Sequence, residues 1–347
     1  MQIGDRIIST KEKPFIIAEA GINHNGEIEM AFKMIETAKN IGFEAIKFQT
    51  FKAEEFNIDS TQTYTYKSQG KTITEPMLDM FKRYEFNKDE WYKIKKKCDA
   101  ENIMFLSTPQ NYSDLELLLD IDISAIKVGS DDFTNIPLLK KYSETDLPLI
   151  LSCGMADLGE VYTSLDTVGA LDGQQIALLL CTSQYPTPVE DVNLLKLKTL
   201  ANAFPHITLG FSDHTQGNLA ASMAIAFGAC IFEKHFTLNH DLAGPDHWFS
   251  ENPESLKVWY DSIFTAWTLL GNECVRPTAK EKEMRVLARR SIVVTKEIKC
   301  GETFTENNIG LFRPGNGLPP LMIHEVVGRK ASKDMIRGTM ITWGDFL

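Results

Sequence analysis

Residues 207–237 read ITLGFSDHTQGNLAASMAIAFGACIFEKHFT. An apolar, β-prone run, Ile207–Gly210, stops at a polar string containing Ser212 and His214. A helix-like stretch, Leu219–Phe227, leads to a second run, Cys230–Glu233, which stops at Glu233-Lys234-His235. Strand, helix and strand in about thirty residues is the repeating unit of a parallel sheet. Working outward, the same unit recurs. Further runs lie at Phe15–Glu19, Ala45–Phe48, Ile103–Ser107, Ala125–Val128, Leu149–Ser152 and Ile176–Cys181. Helix-like stretches include Glu29–Ile41, Lys88–Glu101, Ser113–Leu119 and Leu194–Phe204, and Pro253–Leu270 follows the eighth run. Eight strand–helix units in about 250 residues is the arithmetic of an α/β protein built as a (β/α)8 TIM barrel. A doubly wound open sheet is the competing architecture. The count of eight and the residues at the strand ends favour the barrel.

Each run ends on polar residues: Glu19, Lys47 with Gln49, Thr108, Lys127 with Ser130, Ser152, Thr182, Ser212 with His214, and Glu233-Lys234-His235. In a barrel the carboxyl ends of all strands converge on one face, and that face carries the chemistry. Strands also end at surfaces, where polar residues are ordinary. Eight such ends in succession exceed what that alone explains.

Composition bounds the rest. The chain has 347 residues, 43% of them hydrophobic and 24% charged, enough apolar material for a large core without disulfides or a structural metal. Its formal net charge of -11 disfavours nucleic acid and anionic membrane surfaces as partners, so an anionic substrate requires a local basic pocket. The opening residues, MQIGDRIISTKEKP, lack the apolar core of an export signal, and Leu219–Phe232 is too short to span a bilayer. Six scattered cysteines with no CxxC pair read as reduced, mostly buried thiols. A cytoplasmic protein is expected.

The connection from Thr50 to about Asn87 is long and polar, and it leaves the catalytic face; it reads as a substrate-covering lid. After Gly271 the composition changes. Residues 1–271 are assigned to the barrel, 272–290 to a charged linker helix, and 291–347 to a separate module of short β-runs and Gly-rich turns. So small a module is expected to have little core of its own.

His214 and His235 stand at the ends of neighbouring strands, about 4.8 Å apart in a sheet. Two imidazoles there can share one divalent ion and leave positions open for substrate oxygens, or they can act as hydrogen-bonded histidines without metal. Lys47 and Lys127 end otherwise apolar runs. With Thr108, Ser130, Ser152 and Ser212 they would form an anion site; snorkelling to solvent and a Schiff-base lysine are the alternatives. Glu19, Asp132 and Glu233 are carboxylates on the same face, available for acid–base work, and Asp246 in the loop after the eighth run suits polyol hydroxyls.

The strings IIAEAGINHNG, KFQT, STP, KVGS, LSCGM, CTSQYPTP, GFSDHT, EKHFT, GPDH and RPGNG together resemble the sialic acid synthase (nonulosonate synthase) family, over about Phe15 to Phe346. The resemblance implies a TIM barrel followed by a C-terminal antifreeze-like (SAF) domain. It also implies a homodimer in which that domain caps the partner's barrel. The implied reaction condenses phosphoenolpyruvate with an N-acylated amino sugar and water, releasing phosphate and a nine-carbon 2-keto acid. N-acetylmannosamine is the first-choice aldose, and the legionaminate and pseudaminate precursors are the alternatives.

By the same resemblance, His214 and His235 would hold manganese, with magnesium or cobalt as substitutes. Lys47, Thr108, Lys127, Ser130, Ser152, Ser183 and Ser212 would bind phosphoenolpyruvate. Gln49, Tyr185, Glu233 and Asp246, with Glu19, would meet the sugar, and Arg313 would reach its N-acyl group from the partner chain. Glu19, Asp132 and His235 would serve catalysis. Asp132 replaces a glutamate common in the family, Ser183 an asparagine, and Gln110 a phenylalanine. A non-catalytic carbohydrate-binding protein is the alternative of another class; the intact Lys47, Lys127, His214 and His235 speak against it.

Overall fold

The computed structural model describes residues 1–347. Eight parallel strands close into a barrel: β1 (Phe15–Gly21), β2 (Ala45–Thr50), β3 (Met104–Pro109), β4 (Ile126–Val128), β5 (Leu149–Ser152), β6 (Ile176–Cys181), β7 (Thr208–Asp213) and β8 (Ile231–His235). β8 pairs with β1 to complete the ring. A helix follows each strand: α1 (Ile28–Ile41), α2 (Lys88–Ala100), α3 (Tyr112–Asp120), α4 (Ile136–Ser143), α5 (Leu158–Thr167), α6 (Leu195–Ala203), α7 (Leu219–Ala226) and α8 (Pro253–Leu270). The (β/α)8 expectation is met. The chain divides into two compact units, Met1–Gly271 and Asn272–Leu347.

Local sequence sets the helix starts. Asn87 with Glu90, Asp157 with Glu160 and Asn252 with Ser255 each form a reciprocal capping box, satisfying amide donors that the first turn leaves free. Pro253 sits at the first position of α8, where no amide hydrogen is needed.

The period-two alternation of a strand then builds the site. Phe15 and Ile17, Ala45, Leu106, Ala125, Ile150, Ala177 and Leu179, and Ile231 face the barrel interior and pack as one apolar cluster. One step further along the same inward rows stand Glu19, Lys47, Thr108, Lys127, Ser152, Cys181, Ser212 and Glu233. The lower interior is therefore a dry plug and the upper interior is polar. A short hairpin, Gln2–Ile3 with Arg6–Ile7, adds Ile3 and Ile8 to that plug. The outward rows, such as Ile16, Ile46, Phe105, Leu151, Leu178 and Phe232, form the larger core beneath the helices.

The strands run further than the apolar runs suggested. Gln49, Ser212 and His235 lie within them, not beyond them. Backbone pairing continues regardless of side-chain polarity, so apolar runs underestimate strands whose inward ends are polar.

The long second connection is not an unstructured loop. It contains a short helix (Ala53–Phe56), an antiparallel hairpin (Thr63–Ser68 with Lys71–Pro76) and a second helix (Met77–Lys82). Ser68 Oγ accepts the Gly244 amide at 3.1 Å and Gln69 Nε2 donates to the Asp241 carbonyl at 2.9 Å, tying the hairpin to the loop after β8.

In the second unit, a helix spans Ala279–Ala288, capped by Thr278 and Glu281, and Ser291–Val294 pairs with Ile309–Phe312. Contrary to expectation, this unit has a core of its own. Ile292, Val294, Ile298, Phe304, Ile309 and Leu318 are buried together with Val326, Ala331, Met335 and Ile341. The two short strands, residues at isolated β-bridges and Val326 from the short helix Ile323–Val326 are among those that supply it.

Candidate active site

A cavity of about 410 Å³ opens at the carboxyl ends of the barrel strands. Fourteen of the residues singled out from sequence line it: Glu19, Lys47, Gln49, Thr108, Lys127, Ser130 and Ser152 from the first five strands and their loops, and Ser183, Tyr185, Ser212, His214, Glu233, His235 and Asp246 from the rest.

Lys127 is buried and donates to Ser152 Oγ at 2.7 Å and to its neighbour's carbonyl at 3.0 Å, while Glu233 Oε2 stands 3.5 Å away. Lys47, also buried, lies 2.8 Å from Glu19 Oε2 and 3.2 Å from Thr108 Oγ1. Ser212 Oγ donates to Glu233 at 3.2 Å, and Gln49 Nε2 donates to Glu19 at 3.3 Å. Burial pulls the Lys127 pKa down, against the attraction of Glu233. For Lys47 burial pulls the same way, but Glu19 and Glu233 outweigh it and hold its pKa above the usual lysine value. Burial raises Glu19 despite Lys47; at Glu233 the pull of Lys127 and Lys47 outweighs burial, and its pKa falls.

These pairings correct the expectation of a locally basic pocket. Two buried lysines are matched by two buried glutamates, because an ammonium removed from water needs a partner. Positive charge is available at particular Nζ atoms but is not in excess over the cavity.

The hydroxyls cluster because Gly154 lets them. A Cβ at Gly154 would fall 2.4 Å from Ser183 Oγ and 2.6 Å from Ser130 Oγ, so only glycine leaves room for both. Its amide donates to Ser130 Oγ at 3.0 Å. Ser183 Oγ is buried and has no partner, a donor held in reserve for a ligand.

On the other side of the cavity the His214 and His235 rings lie 5.3 Å apart. His214 Nδ1 is 2.9 Å from the Thr182 carbonyl, which it meets as a donor, leaving Nε2 for a ligand. His235 Nδ1 is buried without a partner. Burial and then His214 push the His235 pKa well below the usual histidine value, so this imidazole is neutral, the form a metal binds. Burial opposes the charged form of His214, but the Cys181 sulfur, 3.8 Å from Nδ1, and the Thr182 carbonyl raise its pKa. No group of three or more His, Cys, Asp or Glu is arranged to hold a metal ion. The two imidazoles thus fit a dication whose other positions go to water or substrate, and do not fit a closed structural site.

Tyr185 packs against His214 at 4.2 Å between ring centroids and meets His235 edge-on. Asp246 is half-buried, and its carboxyl is pushed up to about 7 by desolvation and then by Glu19. Facing them is an apolar wall from the lid segment: Phe51, Phe56 and Phe81 meet edge to face at 5.1–5.7 Å, with Met77 and Met80 beside them.

Two assigned residues are not in this cavity. Asp132 accepts from Asn135 Nδ2 at 2.9 Å in the turn that starts α4, because Phe133 beside it is anchored in the core and turns Asp132 away from the mouth. Asp131 lines the cavity instead. Arg313 is exposed on the second unit, next to a cis bond to Pro314. Sequence reading also missed Cys181 and Phe249 as lining residues. The inward parity of β6 points to Cys181; nothing in the local pattern points to Phe249.

Comparison with known proteins agrees with this geometry. Residues 34–274 match the family model described as NeuB family, and residues 289–347 match the SAF domain. The chain belongs to the NeuB family. An N,N'-diacetyllegionaminic acid synthase from Legionella pneumophila is 37% identical over 333 residues, covering 95% of this chain and 93% of its own. A pseudaminic acid synthase from Campylobacter jejuni is 34% identical over 352 residues, the full length of both chains. The crystal structure of an N-acetylneuraminic acid synthetase from Leptospira borgpetersenii, in complex with citrate, has a TM-score of 0.73 at 31% identity, over 82% of this chain and 94% of that one. As a NeuB-family protein, the chain is a TIM barrel with a C-terminal SAF domain and falls among the nonulosonic acid synthases. No helix in it is long and apolar enough to cross a membrane.

Proposed function

We propose that this chain condenses phosphoenolpyruvate with an N-acyl-mannosamine-type aldose and water, giving a nine-carbon 2-keto acid and phosphate. The observation that carries the reading is one cavity holding two buried lysines among five hydroxyls and, beside them, two adjacent imidazoles. Lys47 and Lys127 each spend two N–H donors on protein oxygens or a carboxylate, so each keeps one for the substrate's phosphate or carboxylate. Ser130, Ser183, Ser212, Thr108 and Ser152 complete that cradle.

His214 and His235 would hold the dication, manganese first and magnesium or cobalt as substitutes. Bound there, it supplies Lewis-acid polarisation of the aldehyde oxygen. Tyr185, Gln49 and Asp246 orient the sugar, with Glu19 and Glu233 fixing the lysines. The working protein is a homodimer in the cytoplasm, in which Arg313 of one subunit serves the partner's barrel.

Among aldoses, the diacetamido-trideoxymannose precursor of legionaminate is favoured over N-acetylmannosamine, the sequence's first choice. The Phe51–Phe56–Phe81 wall with Met77 and Met80 offers methyl-sized apolar contacts where N-acetylmannosamine would bury hydroxyls. The 37% identity to a legionaminic acid synthase supports the same choice. The test is to incubate the protein with phosphoenolpyruvate, manganese and each aldose, and to identify the product by mass. A nine-carbon keto acid from the diacetamido sugar is expected; product from neither sugar would overturn the reading.

A further inference from the structure

The aldol-type step must be followed by addition of water at C2 of the former enolpyruvate, and that water must lose a proton. We propose that Asp131, not Asp132, is the carboxylate that takes it. This rests on the condensation reading above.

Four carboxylates line the cavity: Glu19, Asp131, Glu233 and Asp246. Glu19 is committed to Lys47 at 2.8 Å, and Glu233 lies against Lys127 and Ser212. Asp246 is half-buried in the loop after β8. Asp131 has no ion-pair partner. Its only side-chain neighbour by hydrogen bonding is a neutral one, Gln110 Nε2, 3.3 Å from Oδ2. Gln110 follows Thr108 on β3, and Asp131 follows Lys127 and Ser130 after β4. The carboxylate therefore borders the anion cradle, where C2 of enolpyruvate would lie.

The loop is built to hold it there. A Cβ on Gly129 would fall 2.1 Å from Asp131 Oδ1, so the carboxylate folds back over a residue that has no side chain. Any other residue at 129 would displace it. Phe133, fully buried, pins the far end of the turn, and Asp132 is spent on Asn135. The charged and titratable groups that sense Asp131 are Lys47, Asp132, Tyr142 and Tyr185.

C3 bonds to the aldehyde carbon, and the carbonyl electron pair moves to the aldehyde oxygen, which takes a proton from solvent. The water oxygen bonds to C2 and gives one proton to Asp131, which returns it to solvent. The bond from C2 to the phosphate oxygen then breaks with its electrons on phosphate, and the C2 hydroxyl passes its proton to the departing phosphate as the ketone forms.

The experiment compares Asp131→Asn, Asp131→Glu and Asp132→Asn in the full-length protein loaded with manganese, by phosphate release across pH. Asp131→Asn is expected to lower kcat by about a hundredfold or more, the usual scale for a lost general base. It should leave the KM for phosphoenolpyruvate within about threefold. Asp131→Glu should recover part of the rate, which a folding defect would not. Full kcat in Asp131→Asn, or a larger loss in Asp132→Asn than in Asp131→Asn, would overturn the assignment alone. No phosphate release from the unaltered protein with any aldose would overturn the reaction itself, and the assignment with it.

Discussion

Asp213 and Lys234 are register partners on β7 and β8, with Nζ 3.1 Å from Oδ2, and each immediately precedes one of the two site histidines. Both side chains point outward into the layer beneath the helices while His214 and His235 sit at the mouth, so the pair locks together the strand ends that carry the imidazoles. Trp259 Nε1 of α8 donates to Asp213 at 2.8 Å, and Thr215 donates to its other oxygen at 2.7 Å. All four side chains are buried.

Replacing Asp213 with Asn puts an amide donor where one of two oxygens now accepts, facing either Lys234 and Trp259 or Thr215, and leaves a buried ammonium short of its counter-charge. The expected cost is about 3 kcal/mol, the scale for breaking a buried ion pair from one side. Urea unfolding followed by tryptophan fluorescence measures it. A loss below about 1 kcal/mol would show that Glu251, 3.6 Å from Lys234, takes over the partnership.

Replacing His235 with Ala should abolish manganese retention as well as turnover. Isothermal titration with manganese alone reads the first effect independently of the second. Undiminished manganese affinity in that variant would remove His235 from the ligand set.

Asp246 carries a pH signature. Its folded pKa, about 7, lies above the unfolded value of about 4, so the folded chain holds the proton more tightly. The stability this contributes is present in full below about pH 4 and is lost as the pH rises toward 7. Asp246→Asn removes the charge without changing shape. The variant should match the parent near pH 4 and exceed its Tm at pH 8, and a Tm difference that stays flat between those values would contradict the desolvation argument.

Replacing Phe81 with Ala opens the apolar wall on the lid segment. Preference for the diacetamido sugar, read as a ratio of kcat/KM values, should fall about tenfold, which is the scale of a lost apolar contact. An unchanged ratio would place specificity elsewhere in the cavity.

The barrel was legible because its period-two and longer periods coexist: apolar runs of four to six residues, each ending in a polar residue, separated by capped helices. The same logic located Lys47, Lys127, His214 and His235, since a polar residue at the end of an inward row has only the mouth to occupy. What escaped was tertiary. Which of two adjacent aspartates faces the cavity depends on where Phe133 anchors and on the bare backbone of Gly129. The pairing of Glu19 with Lys47 is set by the register of neighbouring strands, and that of Glu233 with Lys127 across the barrel mouth by ring closure, neither by spacing along the chain. The lid hairpin of Thr63–Ser68 and Lys71–Pro76 is rich in threonine and lysine, so its strands lacked the apolar signal that marked the barrel.

The most direct test of the central claim is phosphate release from phosphoenolpyruvate by the full-length protein with manganese, with and without the diacetamido-trideoxymannose. Release that requires the sugar, stops on chelation and returns when manganese is restored is the predicted result. Folded protein that releases no phosphate under those conditions, or releases it equally without sugar or metal, would contradict the account.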